Sequence, residues 1–378
     1  PLRLPEDALE SPVPFRRLRN IAPELGVDAV DLAGGAVMED FDGDGWLDLV
    51  SGTWDPCAPM KAFRNDGRGG FVDVTSDWGL DTQLGAFNLE SGDFDEDGMV
   101  DLLVLRGGWL GEDGRIRNSL LRNDLDRETG RFVDVTVSAG LAYPAYPTQT
   151  AGWADYDGDG DLDLFVGNET AETETTNPQT LSGGSAAYPS QLFRNEGDGS
   201  FTEIARLAGV TNDRYTKSVA WGDYDDDGDP DLYVSNIGPN RLYRNDGPGE
   251  DGIVQFTDVA PELGVVEPAA QSFGAWFFDY DNDGDLDLWV GRYGALIEEV
   301  SASYLGYQPT GQSPVLYRND GDTFTDVSKE VGLERPLLPM GANYGDLDND
   351  GYPDVYLGTG VPDPDALMPN VLYHNQRG

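Results

Sequence analysis

A nine-residue pattern, DxDxDGxxD, occurs six times in this chain, and no other feature restricts its fold as much. The copies are Asp40–Asp48, Asp93–Asp101, Asp155–Asp163, Asp223–Asp231, Asp279–Asp287 and Asp346–Asp354. Asp stands at positions 1, 3, 5 and 9 of every copy, and Gly at position 6. Carboxylates on alternate residues converge when a Gly turn folds the segment back, and carboxylates held together need a cation. Calcium takes about six to eight oxygens, which such a loop supplies from positions 1, 3 and 5 and from a main-chain carbonyl at position 7. The side-chain ligands read this way are Asp40, Asp42 and Asp44; Asp93, Asp95 and Asp97; Asp155, Asp157 and Asp159; Asp223, Asp225 and Asp227; Asp279, Asp281 and Asp283; and Asp346, Asp348 and Asp350. The position-7 residues are Trp46, Met99, Asp161, Asp229, Asp285 and Tyr352. About six calcium ions are expected. An EF-hand opens the same way but needs Glu at position 12 and flanking helices. Position 12 here is Ser51, Val104, Val166, Val234, Val290 or Leu357, which excludes it.

Two further motifs follow the loops. The first is AFRNDG from Ala62, LLRNDL from Leu120, LFRNEG from Leu192, LYRNDG from Leu242 and Leu316, and LYHNQ from Leu372. The second is FVDVT from Phe71 and Phe132, FTEIA from Phe201, FTDVA from Phe256 and FTDVS from Phe324. Each of these Phe residues lies eight positions before a Gly: Gly79, Gly140, Gly209, Gly264 and Gly332. The Asn-Asp-Gly steps are hairpin turn signals, and the short apolar runs between turns read as strands buried between layers. One unit is then four strands: one into the acidic loop, one out of it, LYRN turning back, and FTDV at the edge. Such a unit repeated along a chain is a propeller blade. The last unit stops at Leu372–Asn375 without its fourth strand, whereas LRNIAPELGV (Leu18–Val27) aligns without gaps on FTDVAPELGV (Phe256–Val265). The sequence therefore predicts an all-β, six-bladed β-propeller with four strands per blade, closed by the N-terminal strand, as one domain over residues 17–378. Residues 1–16 form a tail, and seven blades is the alternative count.

The acidic loops, the LYRNDG turn and the FTDVT strand together resemble FG-GAP or VCBS-type repeats over nearly the whole chain. Such repeats build integrin alpha-subunit propellers and cartilage-acidic-protein-like secreted proteins. The resemblance implies that position 9 also ligates, adding Asp48, Asp101, Asp163, Asp231, Asp287 and Asp354, and that each loop joins the first and second strands of its blade. Integrin propellers have seven blades with calcium in only some, whereas all six loops here are intact. Met99 with Val100 makes the second loop less polar, and Pro230 and Pro353 stiffen two others.

The formal net charge of −46, from 70 acidic and 24 basic residues, repels phosphate backbones and argues against a nucleic-acid partner. Adaptation to a salty medium is a competing source of the same charge. Cys57 is the sole cysteine, so no intramolecular disulfide exists, and calcium can take the place of disulfides as a staple outside cells. No apolar run is long enough to span a membrane. The chain begins at Pro1 without a leader, which is compatible with a removed signal peptide. Calcium sites of extracellular type, with Kd about 10⁻⁴–10⁻³ M, would be nearly empty in a cytosol. The expected location is secreted or at the cell surface.

Function is expected at the end of the blades away from the calcium loops. Two connections there are long, Gly167–Gln191 and Gly291–Val315, and they bring Tyr188, Tyr293, Tyr304 and Tyr307; shorter ones bring Trp54, Trp109, Tyr143, Tyr146 and Tyr215. Aromatic rings on a rigid scaffold suit stacking on sugars or gripping a peptide, although packing of the loops explains the same residues. The expected role is a binding or adhesion module for a glycan or protein ligand. A spacer within a larger surface protein is one alternative. A carbohydrate-active enzyme, a polysaccharide lyase or a glycosidase, is the other; its candidate groups are Glu169 with Glu172, Glu298 with Glu299, and Arg214 with Lys217 against a uronate. No catalytic motif supports it: His374 is the only histidine and replaces the Arg of a LYRN turn, and GxSxG and paired metal histidines are missing. Asn168-Glu169-Thr170 is a formal glycosylation sequon.

Overall fold

The computed structural model describes residues 19–29, 32, 34–127, 129–170, 188–267, 271–295, 297–307, 311–321, 323–360 and 368–376. They fall into two compact units, one within Arg17–Glu172 and Ser185–Asp213, the other within Arg214–Gly378. Each unit holds three antiparallel meanders in which neighbours in sequence are neighbours in space. In the first unit the sheets are β1 to β4 (Ala36–Glu39, Asp48–Ser51, Lys61–Asn65, Phe71–Asp73), β5 to β8 (Asn88–Gly92, Asp101–Leu105, Ser119–Asp124, Arg131–Asp134) and β9 to β12 (Thr148–Ala154, Asp163–Asn168, Gln191–Asn195, Phe201–Glu203). In the second they are β13 to β16 (Tyr215–Gly222, Asp231–Ile237, Arg241–Pro248, Val254–Asp258), β17 to β20 (Ser272–Phe278, Asp287–Arg292, Val315–Asn319, Phe324–Asp326) and β21 to β23 (Pro339–Gly345, Asp354–Thr359, Val371–Tyr373). The chain is all-β, and these are the six blades of a β-propeller.

The second strand of each blade is flanked by two strands and covered on both faces, so it must be apolar throughout. In β6, Leu102, Leu103, Val104 and Leu105 are all buried, as are Leu232, Tyr233 and Val234 of β14 and Leu288, Trp289 and Val290 of β18. The blades pack face to face through these residues: Val104 and Leu121 join Val50 and Ala62 of the preceding blade, while Leu103 and Leu120 join Leu164 and Val166 of the next. The second unit repeats this, with Tyr233 against Phe277 and Leu288, and Trp289 against Val355 and Leu357.

The spacing of eight from Phe to Gly has a plain cause. After the fourth strand the chain makes one helical turn, as in α2 (Ala205–Ala208) and α3 (Ala260–Leu263), and leaves it through a left-handed Gly. Gly79, Gly140, Gly209, Gly264 and Gly332 all have φ between 75° and 83°, where a side chain would be strained. The N-terminal APELGV segment does the same: α1 (Ala22–Leu25) ends at Gly26 with φ 75°. A Cβ at Gly26 would lie 4.0 Å from Phe71 O, and one at Gly79 or Gly140 would lie 3.8 Å from Phe132 O or 3.0 Å from Phe201 O. This segment thus stands before the first blade as the ends of the first two blades stand before their successors.

The closing strand expected from the Leu18–Val27 match falls only in part within the described residues, and that part carries no strand. Among the described residues the last sheet has three strands, Arg19–Ile21 are irregular, and Pro23 starts the turn of helix α1. Leu18 and the tail over residues 1–16 lie outside the described residues. The β23 edge borders a cavity of about 440 Å³ lined by Tyr280, Trp289, Val331, Leu333, Val355 and Tyr373 among others.

Candidate metal centres

The six acidic loops join the first and second strands of their blades and share one set of hydrogen bonds. In the Asp155 loop, Asp155 Oδ1 accepts from Asp159 N at 3.1 Å and Oδ2 from Gly160 N at 3.0 Å, while Asp159 Oδ1 accepts from Asp161 N at 3.0 Å. The bond from the position-6 Gly recurs in the others at 2.8 to 3.0 Å. Two left-handed residues wind the loop. One is the position-6 Gly, at φ 88–104°. The other is position 4, which is Gly43, Glu96, Gly158, Asp226, Asn282 or Asn349 at φ 54–73°. Apart from Trp109, the non-glycine residues with positive φ among those described are these position-4 residues. In sequence, position 4 is marked only by its Gly, Asp and Asn content in five of the six loops.

Position 9 starts the second strand and is buried in all six blades. Its carboxylate accepts two main-chain amides. In the third blade, Asp163 Oδ2 takes Tyr156 N at 3.3 Å and Oδ1 takes Asn195 N at 2.8 Å, and the other five pairs match. Burial, only partly offset by these bonds, pushes Asp48 up to about 6, Asp231 and Asp287 to about 7, and Asp101 and Asp163 to about 8. The position-3 carboxyls Asp95, Asp157, Asp225 and Asp281 are also raised, first by burial and then by the position-5 carboxylate beside them. One oxygen of each of these four, Oδ1, is buried without any hydrogen-bond partner. The ligand atoms of Asp40, Asp42 and Asp48, of Asp93, Asp95 and Asp101, of Asp155, Asp157 and Asp163, and of Asp223, Asp225 and Asp227 lie within 4.8 Å of one another in each group. A bare loop therefore holds converging carboxylates with an unsatisfied oxygen among them, and a hard divalent cation fits that donor set.

Within the two units, the Asn of the LYRN turn locks four of the loops to the blade before. Asn123 Nδ2 donates to Val100 O of its own loop at 2.9 Å and to Phe41 O of the preceding loop at 2.8 Å. Asn195 does so to Leu162 O and Phe94 O, Asn319 to Leu286 O and Tyr224 O, and Asn375 to Pro353 O and Tyr280 O. The sequence identified this Asn only as a turn residue.

At the other end of the sheets the predicted aromatics have different surroundings. Tyr188 is buried and packs on Tyr146 with ring centroids 5.5 Å apart. Trp109 donates its indole N–H to Gln149 Oε1 at 2.7 Å, and its main-chain N–H to buried Glu169 at 2.5 Å. Trp54 bonds Gly108 O at 3.3 Å, Tyr293 bonds Gly360 O at 3.3 Å, and Tyr215 lies under Lys217 Nζ at 4.4 Å. Tyr304 is in helix α4 (Ile297–Tyr304), which also carries Glu298 and Glu299 and which the sequence did not reveal, and its ring lies under Arg335 at 4.7 Å. Tyr143 and Tyr307 are 81% and 67% exposed. Arg115, absent from the sequence-based candidates, lines an open cleft of about 630 Å³ with Tyr143, Pro144 and Ala145. Its guanidinium sits 5.9 Å from the Tyr188 ring and makes no ion pair or hydrogen bond among the described residues. Glu172 lies outside those residues. Lys217 is buried between Tyr215 and Phe273, and Arg214 bonds Pro239 O at 2.6 Å. Asn168 of the sequon is fully buried, with its amide on Pro189 O and Gln191 Oε1, so it is closed to glycosylation in the fold. No helix among the described residues is long and apolar enough to cross a membrane.

Residues 40–104, 180–234, 223–290 and 302–357 match the FG-GAP-like repeat. Cartilage acidic protein 1 is 30% identical over 179 residues in both Homo sapiens and Mus musculus, covering 46% of this chain and 24% and 25% of those proteins. The chain spans about a quarter of the length of these relatives. Among solved structures, an Agrocybe aegerita lectin described for specific recognition of non-reducing terminal N-acetylglucosamine is similar with TM-score 0.44, at 17% identity over 92% of this chain and 82% of that one. A Bacillus licheniformis rhamnogalacturonan lyase gives TM-score 0.42, at 13% identity over 92% and 56%. With more than half of its length matched by the repeat and every matched segment folded around an acidic loop, the chain belongs to the FG-GAP-like repeat family of β-propellers.

Proposed function

We propose that this protein is a calcium-loaded, extracytoplasmic binding module that takes a glycan or protein ligand at the end of its blades away from the metal loops. The observation that carries the metal half is the buried, unpartnered Oδ1 of Asp95, Asp157, Asp225 and Asp281 among converging carboxylates. Burying four such oxygens without a counter-charge is costly, and a cation coordinated by each removes the cost. At about 1 mM calcium and a Kd of about 10⁻⁴ M, each site adds about 1.4 kcal/mol by mass action, so six add about 8 kcal/mol. At micromolar calcium the gain vanishes, which supports a location outside the cytosol. Chelation should lower the melting temperature by at least about 10 °C for a chain of this length, and calcium should restore it. A melting curve indifferent to chelator, in protein that elemental analysis finds free of calcium, rules the reading out.

The ligand half rests on Arg115 and Tyr143, a guanidinium with no ion pair or hydrogen bond among the described residues and an exposed ring, sharing one cleft on a strongly acidic chain. A ring stacks on a sugar or proline face, and a guanidinium takes a carboxylate or hydroxyl oxygens. Screening calcium-loaded protein against glycans and matrix proteins should yield saturable binding that Arg115→Ala and Tyr143→Ala each weaken without changing the melting temperature. Binding that survives both substitutions places the ligand elsewhere.

A further inference from the structure

Five of the turns that follow the loops present an arginine; the sixth presents His374. Arg122, Arg194, Arg244 and Arg318 each fork to an acid two residues on, Asp124, Glu196, Asp246 and Asp320, at 2.6 to 2.9 Å. The sixth turn has Gln376 there instead. The exchange changes what the turn can do, because a guanidinium carries donors only, whereas a neutral imidazole offers a lone pair to a metal. His374 Nε2 lies 2.8 Å from Asp348 Oδ2, and with a carboxylate oxygen of Asp350 the three atoms are mutually within 4.8 Å. Tetrahedral ligands about 2.1 Å from one ion stand roughly 3.4 Å apart, so an ion that replaces the proton of this hydrogen bond needs the two side chains to part by only about 0.6 Å. The other five loops offer oxygen alone, the set that calcium selects. Nitrogen joined to carboxylates favours first-row transition ions, zinc more than manganese.

We propose that the sixth loop is a transition-metal site, taking Zn²⁺ through His374 Nε2, Asp348 and Asp350, in a protein whose other loops take calcium. The inference shares Asp348 and Asp350 with the calcium reading and otherwise stands apart from it. The test uses the full chain in about 1 mM calcium with one equivalent of Zn²⁺ added. His374 is the only histidine, so its imidazole gives a single set of NMR signals. Zinc should shift the Nε2 resonance, and about one equivalent should stay with the protein through gel filtration. His374→Arg, which restores the turn of the other blades, and His374→Gln should each weaken zinc binding at least about tenfold, since even residues behind a ligand contribute that much. An imidazole signal unmoved by zinc, or zinc retained equally by both variants, overturns the proposal. A chain that holds zinc through His374 but takes up no calcium upholds it and refutes the calcium reading; one that fills every loop with calcium in the presence of zinc does the reverse.

Discussion

Replacing Asn123 separates two explanations of the turn that follows each loop. If Asn were chosen only for the turn, Asp would serve, because both residues accept a main-chain amide two positions on and tolerate turn geometry. In the structure Asn123 is fully buried, its Oδ1 accepts from Leu125 N at 3.0 Å, and its Nδ2 donates to carbonyls of two different blades. Asn123→Ala leaves two buried carbonyls and one amide without this partner. At about 1–1.5 kcal/mol each, the loss is about 3–5 kcal/mol. Asn123→Asp keeps the Leu125 bond but turns a carboxylate toward Phe41 O and Val100 O, next to Asp101, whose Oδ1 accepts Asn123 N at 2.7 Å. It should cost more than Ala, although it is closer in shape. Urea unfolding of the three proteins at one fixed calcium concentration gives the order, provided the slopes agree. An Asp variant within 1 kcal/mol of the parent would refute the inter-blade role and leave Asn123 as a turn residue.

Burial that raises Asp101 and Asp163 to about 8 and Asp231 and Asp287 to about 7, from an ordinary 3.8, has a definite sign. The folded, metal-free chain keeps protons that the unfolded chain has released, so its stability should fall as pH rises from about 4 to about 8. Calcium needs those carboxyls ionised, so binding at pH 7 should release protons and tighten with pH; calorimetry in two buffers of different ionisation heat checks this, and equal heats contradict it. Removing residues 1–22 should destabilise the protein by several kcal/mol if the N-terminal segment closes the last blade, while removing 1–12 should be silent; equal melting of both truncations would refute that closure. Glu96→Gly should stabilise by about 0.5–1 kcal/mol, because φ 54° strains a non-glycine residue and Gly43 and Gly158 already hold this position in two other loops. A destabilised variant would show that Glu96 makes a contact outweighing the strain.

The repeat made most of the architecture legible. Four fixed carboxylates, a Gly and a returning LYRN located the first three strands of every blade, because each of those signals is local. What stayed hidden depends on neighbours in space. Position 9 looks like any other Asp of its loop, yet it is buried and holds two amides, since it lies where the loop enters the most enclosed strand. Asn123 and its counterparts carry no trace in sequence of the carbonyl they reach across to. The aromatics were read by type, and type cannot distinguish buried Tyr188 from exposed Tyr143; Arg115 passed unnoticed because a lone Arg between Gly114 and Ile116 has no pattern. The APELGV match identified a true local structure, the helical turn ending at Gly26, while the strand expected before it falls mostly outside the described residues or, over Arg19–Ile21, is irregular.

The partners of the Asn latch are main-chain oxygens on both sides, and that bears on how such proteins grow. A joint that recognises backbone alone makes no demand on which side chains the adjoining repeat carries. A duplicated or transplanted blade would find its docking points already present, provided the cut preserves one loop and the Asn that follows it. Divergence within a blade is then free of the need for matching change next door, so the loops at the far end can vary independently of their neighbours. The same rule gives an engineer a splice point: chimeras joined in the helical turn before the left-handed Gly keep each loop with the Asn that follows it and should keep every latch intact.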